Sequence, residues 1–313
     1  MNHFLSLADL TPAQMGDLLA LAASMKDELR RQGRNEARLP GKTLGMIFQK
    51  PSLRTRVSFD MAMIQLGGQA LYISPNEISL GKRESVADVA RVLSRYVDAI
   101  MARVFAHTDV VELAQYSQVP VINGLSDASH PCQGLADILT IRERFGELAG
   151  LKVAFVGDGN NVLVSLAYGC ALTGAHLVVA SPDGYELPPD AAARAREIGR
   201  STGSTLTLLR DPLEAVSSAH VVYTDVWISM GQEAETEQRL AVFSPRYQVN
   251  SELLACARPD HIVMHCLPAH RGQEITDAAC DDDIHSAMWN QAENRMHAQK
   301  AILVDLLTDR DRR

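Results

Sequence analysis

LGMIFQKPSLRTRVSFDMAMIQL, residues 44–66, holds the fold in miniature. Residues 44–48 form a short apolar run bounded by polar ones, the pattern of a strand buried on both faces. From Val57 to Leu66 the apolar residues recur at helical spacing, and Gly67-Gly68 ends that helix. A strand running directly into a helix is the repeating unit of a parallel α/β sheet. The junction itself reads Ser52-Leu53-Arg54-Thr55-Arg56. Such a junction aims free backbone N–H groups and a partial positive charge at one point. Two hydroxyls and two guanidiniums added there suit a dianion, because the planar fork of arginine matches phosphate oxygens. The plainer alternative is a capped, solvated helix start with one arginine in a structural ion pair.

The alternation extends in both directions. Thr11-Pro12-Ala13-Gln14 opens a helix that runs to about Arg31, with Thr11 as cap, Pro12 in the first turn and Gln14 as capping-box partner. Downstream the spacing predicts strand 70–73, helix 84–96, strand 99–104, helix 110–116 and strand 119–122. A helix over 131–145 is long enough to link two domains, and the pattern then restarts. It gives strand 151–156, helix 161–173, strand 176–180, helix 190–199, strand 205–209, helix 212–219, strand 221–224, strand 261–265 and a last helix over about 290–307. The stretch after Gly231, to about Asn250, lacks a strong period and suits a lid. The fold class expected is α/β with two domains, each a parallel sheet flanked by helices, and with ligands at the carboxyl ends of the strands.

Composition narrows the function. A chain of 313 residues fits two domains, and 46 % apolar with 22 % charged residues is an ordinary globular balance that excludes disordered, collagen-like and disulfide-scaffold classes. Thirty Lys and Arg against 38 Asp and Glu give a net charge of −8 with no basic run, so no nucleic-acid partner is expected. No apolar run approaches the roughly 18–20 residues of a membrane span, and the start lacks a signal-peptide pattern. Cys132, Cys170, Cys256, Cys266 and Cys280 are odd in number, with no CxxC pair, and are expected to be free thiols in the cytoplasm rather than bridges or a zinc site.

Several other residues can carry chemistry, and each has a structural alternative. His130-Pro131-Cys132-Gln133 starts the long helix, where His130 and Gln133, three apart, can face one point; His130 is otherwise an ordinary helix-end histidine. Arg103 ends an apolar strand and points into a cleft or into solvent. Gly157-Asp158-Gly159-Asn160-Asn161 suggests a dinucleotide fingerprint, but Val162 stands where its third glycine belongs and no acid follows the next strand. An amide at that helix N-terminus that binds a carboxylate is the better use. Asp225, in Asp225-Val226-Trp227-Ile228-Ser229-Met230-Gly231, offers a carboxylate to an ammonium, or else caps a helix. Cys266, in His265-Cys266-Leu267-Pro268, is a thiol at a strand end or a buried structural cysteine. Arg295 lies in the first turns of the last helix and faces a cleft or a local acid.

In this order, the stretches FQKPSLRTRVSF, GKRESVADVARVLSRYVD, ARVF, NGLSD, HPCQGLADILTI, GDGNN, TDVWISMGQE, HCLP and QAENRMHAQKA resemble the aspartate/ornithine carbamoyltransferase family nearly end to end. The resemblance implies a carbamoyl-phosphate-binding domain (1–135), an ornithine-binding domain (136–289) and a C-terminal helix (290–313) packing back on the first. It implies transfer of the carbamoyl group of carbamoyl phosphate to the δ-amine of L-ornithine, giving citrulline and phosphate, with no metal or organic cofactor. It also implies a homo-oligomer, a trimer or a multiple of trimers. Ser52, Leu53 (through its backbone), Arg54 and Thr55 would hold the phosphate. Arg103, His130 and Gln133 would surround the carbamoyl group, and Cys266, Leu267 (through its backbone) and Arg295 would complete that pocket. Asn161, Asp225, Ser229 and Met230 would hold the amino acid, with Arg54, Arg103, His130, Cys266 and Asp225 as the catalytic set. Two positions depart from the family: Leu53 stands where a threonine is usual, and Ser79 where a longer Gln or His reaches across a subunit interface. The family's aspartate branch would show HPLP at Cys266, and its acetylornithine and succinylornithine branches lack D-x-W-x-S-M-G, so ornithine is the expected acceptor. Arginine synthesis is the expected direction. A silent paralogue is the competing reading from another class.

Overall fold

Helix α1 (Pro12–Gln32) begins as its sequence spells: the Thr11 hydroxyl accepts from the Gln14 amide, and Gln14 Oε1 accepts from the Thr11 amide. The structure, a computed structural model, describes residues 1–229 and 231–308. Strand β1 (Thr43–Phe48) is buried along its whole length and leads into α2 (Leu53–Gln65). There follow β2 (Gln69–Ile73), α3 (Pro75–Ile78), α4 (Val86–Leu93), β3 (Ala99–Arg103), α5 (His107–Tyr116), β4 (Val121–Leu125) and α6 (Pro131–Phe145). The four strands form a parallel sheet ordered β2-β1-β3-β4. Register sets Phe48 opposite Arg103, which brings the end of β3 beside the loop that leads into α2. Ile47, Ile100, Ala102, Val104 and Val121 join Val86, Val89 and Ala90 of α4 and Val110 and Leu113 of α5 in one apolar cluster. Burying each valine, isoleucine or leucine of the cluster stabilises the fold by roughly 1.5–3 kcal/mol.

The second set comprises β5 (Lys152–Val156), α7 (Asn161–Thr173), β6 (His176–Ala180), α8 (Pro189–Gly199), β7 (Leu206–Leu209), α9 (Pro212–Val216) and β8 (Val221–Thr224). It continues through α10 (Thr236–Phe243), α11 (Ser251–Leu254), β9 (Ile262–His265) and α12 (Asp277–Cys280) to α13 (Met288–Thr308). Its five strands are also parallel, ordered β7-β6-β5-β8-β9. Thr224 pairs with His265 at the sheet's carboxyl end, so the next residues of each strand, Asp225 and Cys266, are neighbours. Trp227, Phe243 and Tyr247 are buried in this unit's apolar core, with Trp227 stacked on Phe243.

The chain divides into two compact units, Met1–Leu139 with the chain from Asn294 onward, and Thr140–Glu293. The C-terminal helix packs back on the first of them, as expected: Lys26 of α1 donates to Asn294 (2.6 Å), Lys300 to Asn35 (2.6 Å) and Arg295 to Thr55 of α2 (3.0 Å). Among the described residues no helix is long and apolar enough to cross a membrane.

Where sequence and structure differ, length and capping explain it. Helix α2 starts at Leu53 rather than Val57, because Ser52 caps it and draws Arg54, Thr55 and Arg56 into its first turn. Strand β4 runs to Leu125, later than the expected 119–122. Helices α3, α11 and α12 have 4 residues each, too few to display a period. The stretch read as a lid carries α10, anchored by buried Arg239 and Phe243.

Candidate active site

In the first unit, cationic groups gather at the carboxyl ends of β1 and β3. Ser52 ends the loop after β1, and its Oγ accepts from the Thr55 amide (3.3 Å) and donates to Thr55 Oγ1 (3.1 Å). Thr55 is fully buried and also receives Arg295 Nη2 from α13. Leu53, at the first helical position, exposes 75 % of its surface and brings only its backbone N–H. Arg54, one residue on, has no carboxylate partner among the described residues. Arg56 instead stacks on the Tyr72 ring (4.1 Å) with Asp60 at 3.8 Å, a structural arrangement.

His130 immediately precedes α6 and its carbonyl accepts from the Gln133 and Gly134 amides. Its imidazole is held well below the usual histidine range, first by burial and then by the positive charges of Arg295, Arg103, Lys50 and Arg54. It is therefore neutral at pH 7. Burial and Arg103 likewise push the Lys50 ammonium down. A neutral, buried hydrogen-bonding group ringed by cations is an environment for an anion or a developing oxyanion. Gln133 lies one turn into α6, where its amide donates to buried Asp137 (2.7 Å). Ser79 sits in a left-handed conformation at the end of α3, and its hydroxyl donates to Pro75 O (3.3 Å).

In the second unit, Asp225 is the hub and does not cap a helix. Its Oδ1 accepts from Cys266 Sγ (3.0 Å) and its Oδ2 from Asn160 Nδ2 (2.7 Å). Asn160 also caps α7 through the amides of Val162 and Leu163, which places Asn161 at the first helical position. Of the glycines before it, Gly159 serves packing: a Cβ there would lie 2.1 Å from Glu186 O, so only glycine fits. Burial pushes the Asp158 carboxyl up to about 6 even though Arg239 lies against it. Arg239 in turn ties Asp158 (3.0 Å) to the carbonyl of Trp227 (3.0 Å), bracing the loop that follows Asp225. Ser229 N–H donates to Gln232 Oε1 (3.0 Å), and Met230 lies outside the described residues. Asp225, His265 and Cys266 place potential metal-ligand atoms within 4.8 Å of one another, with both His265 nitrogens engaged by Leu267 and Glu274.

The expected residues thus fall into two clusters, one in each unit. Ser52, Arg54, Thr55, Arg103, His130 and Arg295 gather in one, and Asp225 with Cys266 in the other. Sequence reading passed over Lys50, Asn160 and Arg239. The paired asparagines were a signal for Asn160, since the first of two residues entering a helix is the one that caps it. Nothing local announced Arg239.

A two-sheet α/β protein with a cationic cradle on one unit and a carboxylate–thiol pair on the other is a two-substrate enzyme that handles an anion and a cation. The family descriptions agree: residues 2–143 match the aspartate/ornithine carbamoyltransferase carbamoyl-P binding domain, and residues 149–306 the Asp/Orn binding domain. The chain belongs to the aspartate/ornithine carbamoyltransferase family. It is 54 % identical over 306 residues to an ornithine carbamoyltransferase of Gloeobacter violaceus, covering 98 % of this chain and 96 % of that one. The solved ornithine carbamoyltransferase of Pyrococcus furiosus superposes with a TM-score of 0.94 at 52 % identity, covering 98 % of this chain and 97 % of that one. An anabolic ornithine carbamoyltransferase of Campylobacter jejuni gives 0.92 at 36 % identity, with both chains covered completely.

Proposed function

We infer that this chain transfers the carbamoyl group of carbamoyl phosphate to the δ-amine of L-ornithine, yielding L-citrulline and phosphate in the direction of arginine synthesis. One arrangement carries the reading: buried His130, whose imidazole the charges of Arg295, Arg103, Lys50 and Arg54 push down after burial does, in the same unit as the Ser52–Thr55–Arg295 bonds at the start of α2. Ser52, the Leu53 amide, Arg54 and Thr55 take the phosphate. Arg103, His130 and Gln133 take the carbamoyl group, and Cys266, the Leu267 backbone and Arg295 complete that pocket. Asp225, Asn161, Ser229 and Met230 take ornithine, with Asn160 orienting Asp225. The nitrogen attacks the carbonyl carbon, charge builds on the carbonyl oxygen, and the C–O bond to phosphate breaks. Arg103 and a neutral His130 donating its N–H stabilise that oxyanion, while the departing phosphate takes the amine's proton. Relatives described as anabolic, including one from Pyrococcus furiosus at 54 % identity, support the direction.

The acting form is a homo-oligomer, a trimer or a multiple of one. Leu53, Val57, Met61 and Ile64 make one exposed apolar stripe along α2, continued by Leu71 on edge strand β2. Such a contiguous stripe calls for a partner surface, and a second copy fits it. Free thiols suit a reducing compartment, the cytoplasm. Purified protein offered carbamoyl phosphate with ornithine, acetylornithine, aspartate or putrescine tests the reaction. Citrulline from ornithine alone is expected. Turnover with another amine would discard the amino-acid half, and no turnover at all would favour a silent paralogue.

A further inference from the structure

The backbone beside Cys266 is unusual. Leu267 has φ +62°, a left-handed conformation that residues with side chains rarely adopt. Its N–H donates to Nδ1 of His265 (2.9 Å). Because Nδ1 accepts, the ring proton lies on Nε2, which donates to Glu274 Oε1 (3.0 Å). The same oxygen accepts from the His270 amide (2.6 Å), so one carboxylate grips both ends of the turn. His265 and Glu274 are both fully buried. The His265 N–H donates to Gln291 Oε1 (3.0 Å), and Gln291 Nε2 donates to the Tyr223 hydroxyl (3.0 Å). One buried amide therefore ties together β9 and β8, the strands that deliver Cys266 and Asp225.

We propose that His265 is a positioning residue for the amine half of the reaction: oriented by Glu274, it clamps Leu267 in the left-handed turn that sets the Cys266 thiol against Asp225. The proposal rests on the reading of Asp225 and Cys266 as the groups that meet the acceptor amine. His265 and Glu274 themselves touch no substrate. Their work is to hold an otherwise unfavourable backbone, so that the thiol and carboxylate stand ready before ornithine arrives.

Two isosteres separate the clamp from bulk stability. Asn at 265 places its oxygen near the Nδ1 position and keeps the acceptor for Leu267. Gln places its amide near Nε2 and keeps only the bond to Glu274. Each loses one buried hydrogen bond, so a merely structural role predicts similar kinetics for both. The clamp predicts that His265→Gln raises the ornithine KM by about tenfold or more, with the carbamoyl-phosphate KM and the melting temperature near those of His265→Asn. Equal ornithine KM values in the two variants would overturn it. If His265→Gln does not fold, Glu274→Gln and Glu274→Leu ask the same question: the amide keeps an acceptor for Nε2–H and a near-parental ornithine KM, and the alkane raises it. Equal values there overturn the proposal too. Asp225→Asn in the same assay guards the underlying reading, since an unchanged ornithine KM in that variant would mean that the reading, not the clamp, has failed.

Discussion

Arg54 stands in the first turn of α2 with no carboxylate partner among the described residues, beside a capping serine and a buried threonine. A charge-assisted hydrogen bond to phosphate is worth about 1.5–3 kcal/mol, so Arg54→Ala is expected to lower kcat/KM for carbamoyl phosphate by roughly 10- to 100-fold or more at unchanged melting temperature. Steady-state kinetics with a thermal melt checks both halves. His130 makes a second claim through stability. Its folded pKa lies below the ordinary 6.5, so below pH 6.5 the unfolded chain takes up a proton that the folded one refuses. The stability this group contributes is complete above pH 6.5 and declines as pH falls below it. His130→Gln should flatten the melting-temperature profile on the acid side, and an unchanged slope in calorimetric scans would refute the assignment. The serine cap and the arginines after it could be read locally. The field on His130 could not, because its sources stand at positions 50, 54, 103 and 295 and only the fold collects them.

At the scale of elements, the strand–helix alternation was legible because both periods are local. The stretch after Gly231 shows no such period, yet it carries α10. Arg239 of α10 reaches across to Asp158, 81 positions away, and to the Trp227 carbonyl. Replacing Arg239 with Met leaves a buried carboxylate without its cation, a loss on the order of 3–5 kcal/mol. Because the Asp158 carboxyl sits at about 6 in the fold, against 3.8 ordinarily, protonation relieves that loss as pH falls. Urea midpoints of parent and Arg239→Met should therefore lie far apart at pH 7.5 and draw together at pH 5. A constant gap would show that Arg239 acts only through the Trp227 carbonyl and through Glu235, to whose carboxylate its Nε also donates (2.8 Å).

For the whole molecule, the apolar stripe on α2 sets the expectation. Ile64, 60 % exposed near the C-terminal end of α2, and Leu71 on edge strand β2 are not among the residues of the cationic cradle. The pair Ile64→Glu and Leu71→Glu should disperse the proposed homo-oligomer while each chain stays folded, read by light scattering and circular dichroism. An unchanged mass would remove this face from the interface. Periodicity alone hides such a stripe, since an apolar helix face looks the same whether its own chain or another covers it.

The return of the last helix also bears on the order in which the molecule comes into being. Thr55 meets Arg295 across 240 positions, Asn35 meets Lys300 across 265, and Lys26 meets Asn294 across 268. A ribosome delivers residues 1–139 first, yet their closing helix is made only after 140–293 have emerged. The inserted unit is contiguous, and once condensed it turns a long floppy tether into a short one and lowers the entropic cost of closing the outer seam. The seam between α13 and the first unit is therefore the last part of that unit that synthesis can complete.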